Sequence, residues 1–137
     1  MNYNMNKFCT SFEESKKLIE LGIDVNTADM WWAERYEGVV TENGQYVVAE
    51  FPYYYLSLTK PSDTNYSQDT IKDIPAWSLP ALMELMNCNC YNISLNCHGA
   101  EWNIKFDDSE KYKDFTKDYP LDAAFEMVCW LLENRIL

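Results

Sequence analysis

The chain has 137 residues, a formal net charge of −11, and a composition that is 47% hydrophobic and 15% aromatic. That size fits one domain, residues 1–137, with enough apolar material for a real core, which argues against disorder. The acidity argues against direct binding to phosphate backbones, which needs clustered lysine and arginine; it favours solubility and basic partners.

The opening MNYNMNKFCTS is polar, so no secretory leader is expected. No apolar run approaches the roughly 20 residues that span a bilayer. A cytosolic protein with no membrane association is therefore expected. The five cysteines show no disulfide-scaffold spacing, which fits a reducing compartment.

The first predicted element is a helix over 11–21. Thr10 with Glu13, or Ser11 with Glu14, offers a capping box, and Gly22 with Ile23 suits its end. A strand is expected at Ala28–Trp32. Val39–Glu42 and Gln45–Val48 flank Asn43-Gly44, which predicts a hairpin with a two-residue type I′ turn. Tyr53–Leu58 reads as a further strand, with Pro52 marking a break or a sheet edge.

Residues 60–75 are polar and rich in turn formers, so they read as a surface loop. Ser78 and Pro80 then open a helix over 78–87, with Leu79, Leu82, Met83 and Met86 on one side and only Glu84 charged. Tyr91, Ile93, Leu95 and Cys97 alternate with polar residues, as do Trp102, Ile104 and Phe106. This predicts a hairpin turning at His98-Gly99 or Gly99-Ala100. Asp107–Lys117 reads as a charged connection.

The last predicted element, a helix over 119–135, has Asp118 as its N-cap and Pro120 in its first turn. Leu121, Ala124, Phe125, Val128, Leu132 and Ile136 form one apolar stripe, and Ala123, Met127 and Trp130 a second. A helix apolar on two sides is buried between layers or keeps one side for a partner. The fold class is α+β: an antiparallel sheet of about four to six strands built from hairpins, with three helices mainly on one face.

Cys88, Cys90, Cys97 and His98 are the candidate metal ligands, since thiolate and imidazole suit zinc. Their spacing is not a paired C-x-x-C form, and Cys97 lies on the dry side of its strand, so structural cysteines are the favoured reading. His98, the one histidine, falls at a turn tip without a partnered nucleophile, and the chain lacks a nucleophile elbow or phosphate-cradling glycine loop. The acid pairs Asp107-Asp108, Asp118 with Asp122, and Asp24 with Asp29 are neighbours of the kind 22 acids produce by chance. No catalytic residue and no cofactor are expected. Adjacent Trp31 and Trp32 must face opposite sides of a strand, so one of them needs separate cover.

Several blocks together resemble a group of short proteins encoded by phages and mobile elements of gut bacteria. They are Cys9-Thr10-Ser11 into Glu14–Leu18, Leu21-Gly22-Ile23, Thr27–Met30, Pro75–Leu79, and Leu121-Asp122-Ala123 with Glu126-Met127. The resemblance implies a mobile-element origin; it carries over no activity and no catalytic residues.

The expected function is therefore non-catalytic protein–protein binding in the bacterial cytosol, a homodimer through Met127 and Trp130 being one form. Ala123, Trp31 and Trp32 are the other interface candidates. A small metalloprotein or enzyme using the Cys88/Cys90/Cys97/His98 cluster is one alternative, and an acidic nucleic-acid mimic is another.

Overall fold

The computed structural model describes residues 7–35, 38–48, 53–58, 72–89 and 92–137. Helix α1 (Phe12–Glu20) is fixed at both ends by its own sequence. Of the two possible capping boxes, Ser11 with Glu14 forms: Ser11 Oγ accepts from the Glu14 N–H at 3.1 Å, and the Ser11 N–H donates to Glu14 Oε1 at 2.9 Å. At the other end Gly22 takes φ +95°. Its N–H reaches the Ile19 carbonyl at 3.0 Å, and the Ile23 N–H reaches the Leu18 carbonyl at 3.1 Å. This is a Schellman closure with buried Ile23 as its apolar contact. Ser11→Ala should cost about 1 kcal/mol in urea unfolding, as lost N-caps do. Glu14→Ala should weaken the same cap, whereas Glu13→Ala should leave the midpoint unchanged.

Thr10, the rejected cap, is fully buried and has a different task. Its Oγ1 hydrogen-bonds Ser15 Oγ at 2.8 Å and accepts the Trp77 N–H at 3.1 Å. Its backbone N–H donates to the Trp77 carbonyl at 2.9 Å, and its carbonyl accepts Trp32 Nε1 at 2.9 Å. One residue thus joins the start of the chain to α1, the first sheet and the entry to the second helix.

A short 3-10 turn (Val25–Thr27), capped by Asp24, leads into β1 (Met30–Arg35). β1 is the middle strand of an antiparallel sheet, with β4 (Tyr53–Ser57) on one side and β5 (Lys72–Ala76) on the other. β1 starts later and runs further than the expected Ala28–Trp32. β5 corrects the expected loop over 60–75: its end, 72–75, pairs with β1, and 60–71 lie outside the described residues. Pro75 is tolerated because β5 is an edge strand, where the missing N–H can face away from the ladder.

The hairpin β2 (Gly38–Val40) and β3 (Tyr46–Val48) forms as a separate two-stranded sheet. Its turn is not the expected two-residue type I′. Val40 pairs with Tyr46, the Gly44 N–H bonds the Thr41 carbonyl at 2.9 Å, and the Thr41 N–H bonds the Gln45 carbonyl at 2.8 Å. Only Gly44 takes positive φ (+78°), so the loop is Glu42-Asn43-Gly44, a type I turn closed by a glycine bulge. Relative to the two-residue turn the register moves by one, which exchanges the faces of one strand.

The third sheet is a meander of β6 (Ile93–His98), β7 (Glu101–Asp107) and β8 (Tyr112–Lys117). The first turn lies at Gly99-Ala100, between paired His98 and Glu101. β8 corrects the expected charged connection. Its inward positions hold Lys113, Phe115 and Lys117, so only one apolar residue marks the buried side, while the Lys113 stem carries its ammonium 5.0 Å from the Phe115 ring centre. In place of the single sheet of four to six strands, the described residues form three sheets of three, two and three strands, and the α+β class stands.

Helix α2 (Leu79–Asn89) runs two residues past the expected end. Ser78 Oγ accepts the Ala81 N–H at 3.2 Å, and the carboxylate of Asp29 takes both the Ser78 N–H, at 2.9 Å, and its hydroxyl. Helix α3 (Pro120–Glu133) ends earlier than the expected 135, where Arg135 turns to φ +57°. Its N-cap is Tyr119, whose side chain makes no capping hydrogen bond; Asp118, the expected cap, is exposed. α3 lies against β7 and β8, and it also packs on α2 and α1. Leu121, Ala124, Phe125 and Val128 of one stripe and Ala123 and Met127 of the other are all buried in one cluster with Leu18, Trp77, Leu82, Met86, Ile104 and Phe106. Among the described residues no helix is long and apolar enough to cross a membrane.

Candidate functional site

The second apolar strip of α3 is internal. Ala123 and Met127 have no exposed surface, and Trp130 is half-buried with its ring 5.7 Å from that of Phe106. Met127 and Ala123 therefore offer nothing to a partner; the strip exists because α3 sits between a sheet and other helices. Trp31 and Trp32 face opposite sides of β1, and both are half-buried. Trp32 Nε1 is held by the Thr10 carbonyl, and Trp31 lines a hollow of about 260 Å³ with Val25, Asn26, Ala28 and Pro75.

The cysteine–histidine cluster does not assemble among the described residues. Cys88 is exposed near the end of α2, and Cys97 is exposed near the end of β6, where its thiol donates to the Gly99 carbonyl at 3.4 Å. His98 is the next residue on the same strand, so its side chain points to the other face of the sheet. Cys90 lies outside the described residues. Among those described, no three His, Cys, Asp or Glu side chains converge as they would round an ion.

The remaining thiols are packing groups. Burial pushes the Cys9 thiol up to about 11 and the Cys129 thiol up to about 12, with nearby acids adding to the effect at both. A thiol reagent at neutral pH should modify Cys88 and Cys97 and spare Cys9 and Cys129 until the chain is unfolded, as read peptide by peptide in a mass spectrometer. Both buried thiols hold their protons more tightly folded than unfolded. Their contribution to stability is therefore present below pH 9.0, the ordinary thiol value, and is lost as pH rises toward about 11 and 12. The urea midpoint should fall across that range, and less steeply in Cys129→Ala.

The acids that pair in sequence hold local structure. Asp24 accepts the Asn26 N–H at 3.0 Å, and Asp108 accepts the N–H groups of Glu110 and Lys111 at 2.8 and 2.6 Å. Those backbone donors keep the Asp108 carboxyl below its usual range. Asp122 and Glu14 both meet Lys7 Nζ at 2.7 Å. Burial alone would lower the Lys7 ammonium, and its hydrogen bonds to Asp122 and Glu14 outweigh that and raise it. A polar hollow of about 370 Å³ forms an open trough on the outer face of β6–β8, lined by His98, Glu101, Asn103, Lys105, Asp114 and Thr116. Lys105 and Asp114 are cross-strand partners there, as are His98 and Glu101, which is the pattern of a solvated sheet face.

The surface that stands out is the β2–β3 hairpin. Every residue of both strands is exposed, and five of the six are valine or tyrosine. Val40 is 70% exposed and Tyr46 68%. The register puts Gly38, Val40, Tyr46 and Val48 on one face and Val39 and Val47 on the other. The Tyr46 ring lies diagonally over Gly38, so close that a Cβ there would stand 1.9 Å from its hydroxyl. Gly38 is what lets the ring lie flat on the ribbon. Beyond the hairpin, Tyr53, Tyr54 and Leu58 in and after edge strand β4 are exposed too. The sequence carried a signal for this surface: Val39-Val40 and Tyr46-Val47-Val48 lack the polar alternation of a strand with one wet face.

The three sheets and three α-helices among the described residues define the chain as an α+β protein. No family model matches it, and no curated protein or solved structure matches it either.

Proposed function

We propose that this chain is a non-catalytic protein that works by binding another protein, and that the β2–β3 hairpin is its contact element. The observation that carries this is the exposed valine and tyrosine on the ribbon, valine on both of its faces, whereas the apolar stripes of α3 are packed in the core. Contiguous apolar surface of this kind is costly in water, and it marks a contact site when a fold retains it. Tyrosine rings add contact area at small entropic cost. The setting the sequence resemblance supports is a phage or mobile element acting in the cytosol of a bacterial host.

The test compares tagged wild type with Val40→Asp in co-purification from host cells, read by quantitative mass spectrometry. Val40 is exposed, so the variant should fold with a stability change within about 0.5 kcal/mol. A protein held by the wild type should be lost from the variant by roughly tenfold or more, the effect of about 1.4 kcal/mol. A variant that keeps every protein the wild type captures would overturn the assignment of the hairpin.

A further inference from the structure

We propose that the hairpin takes up an extended, lysine- or arginine-bearing segment of its partner as a third strand along β2; this deepens the binding reading above and rests on it. Two strands of three residues are too little sheet to be stable on their own, so a third strand along the ribbon would stabilise it. Among the described residues neither β2 nor β3 pairs with any further strand.

The main-chain geometry suits an added strand. Thr41 and Gln45 are bonded across the ladder. By antiparallel alternation Val39 and Val47 form the next bonded pair, and the N–H and C=O of Val40 point outward from the β2 edge. A segment paired there would place alternate side chains beside Val40 and Tyr46 on one face and beside Val39 on the other.

Charge selects the occupant. From Tyr36 to Thr59 the sequence holds Glu37, Glu42 and Glu50 and no lysine, arginine or histidine. Glu37 and Glu42 bracket β2 in sequence, and the chain as a whole carries −11. A second copy would set −11 against −11. A basic segment reverses both signs and is steered in by the field of the whole chain.

The probes are fluorescent peptides of about nine residues, long enough to span the short edge at about 3.4 Å per residue. One alternates valine with lysine, and in its twin glutamate replaces every lysine. Titrated with the full chain, the lysine peptide should bind at least about tenfold tighter than its twin and weaken as salt rises to about 0.5 M. Val40→Pro deletes the outward N–H and should lower that affinity by about tenfold, while Val40→Thr keeps the donor and should bind as wild type. Equal binding of the twins, no binding of either, or an unchanged Val40→Pro would overturn strand addition. So would a wild-type dimer in light scattering that Val40→Pro dissolves, since a second copy would then be the occupant. If the peptides fail while Val40→Asp still loses a host protein, strand addition falls and the binding reading stands. If Val40→Asp loses nothing, the binding reading falls as well.

Discussion

Met127→Asp is expected to leave much of the protein unfolded at 25 °C. Met127 has no solvent exposure and lies in the cluster that α3 forms with α2 and the inner face of β6–β8. The substitution forfeits about 1.5–3 kcal/mol of side-chain burial. It also places a carboxylate where no cation is provided, at several kcal/mol more whether the group ionises or takes up a proton. Against a total stability of about 5–15 kcal/mol for a domain of ordinary size, that is enough to unfold much of the population. Circular dichroism and urea titration check it. Met127→Leu, which keeps the volume, should cost less than about 1.5 kcal/mol. A Met127→Asp variant unfolding cooperatively within about 1 kcal/mol of wild type would mean that α3 is not enclosed on that side.

The same helix shows how far the sequence reaches. Both apolar strips of α3 are legible from their spacing alone. Whether the second faces a partner or another layer is not, because that depends on where Leu82, Met86, Ile104 and Phe106, remote in sequence, come to rest. Local signals with their own chemistry were readable: a capping box at 10–14, of which the Ser11–Glu14 alternative forms, the Gly22–Ile23 closure, and Ser78 opening α2. The two missed strands fail for definable reasons. β5 carries Pro75, and its pairing with β1 is a long-range event that overrides a poor local preference. β8 shows one inward apolar residue, because lysine stems serve as the rest of its buried side. Asn43-Gly44 marked a turn correctly and its type wrongly, since the glycine bulge needs positive φ at one residue only. The cysteine–histidine grouping was a proximity in sequence that strand alternation pulls apart at Cys97 and His98. The hairpin surface was readable as a hairpin. Its exposure depends on where the other described elements come to rest, which no local pattern gives.

Trp77→Ala should be the most damaging truncation to alanine, at about 3–5 kcal/mol, the range for buried aromatics cut back in a core. Trp77 is fully buried at the junction of β5 and α2. Its indole N–H donates to Thr27 Oγ1 at 2.9 Å, which ties the 3-10 turn to the core. Its backbone is held by Thr10 on both sides, N–H to hydroxyl at 3.1 Å and carbonyl to N–H at 2.9 Å. Two separate losses are therefore bundled in one substitution, and variants can part them. Trp77→Phe keeps most of the apolar volume and drops the bond to Thr27, which should cost about 1–3 kcal/mol, bond and residual cavity together. Thr27→Val removes only the acceptor and leaves the indole N–H unpaired at a half-buried position, for about 1–2 kcal/mol. If the bond is formed as described, the double variant should cost less than the sum of the singles by about 0.5–1.5 kcal/mol, since each alone has already broken the same contact. Strict additivity would mean that the indole points elsewhere. The clamp on the backbone by Thr10 is untouched by all three changes, so α1 should keep its amide protection even in the weakest of them. Thr10→Ala, by contrast, removes the hydroxyl bonds to Ser15 and to the Trp77 N–H while keeping the main-chain bond to the Trp77 carbonyl, so it should weaken the seat of α1 and the Trp77 junction together.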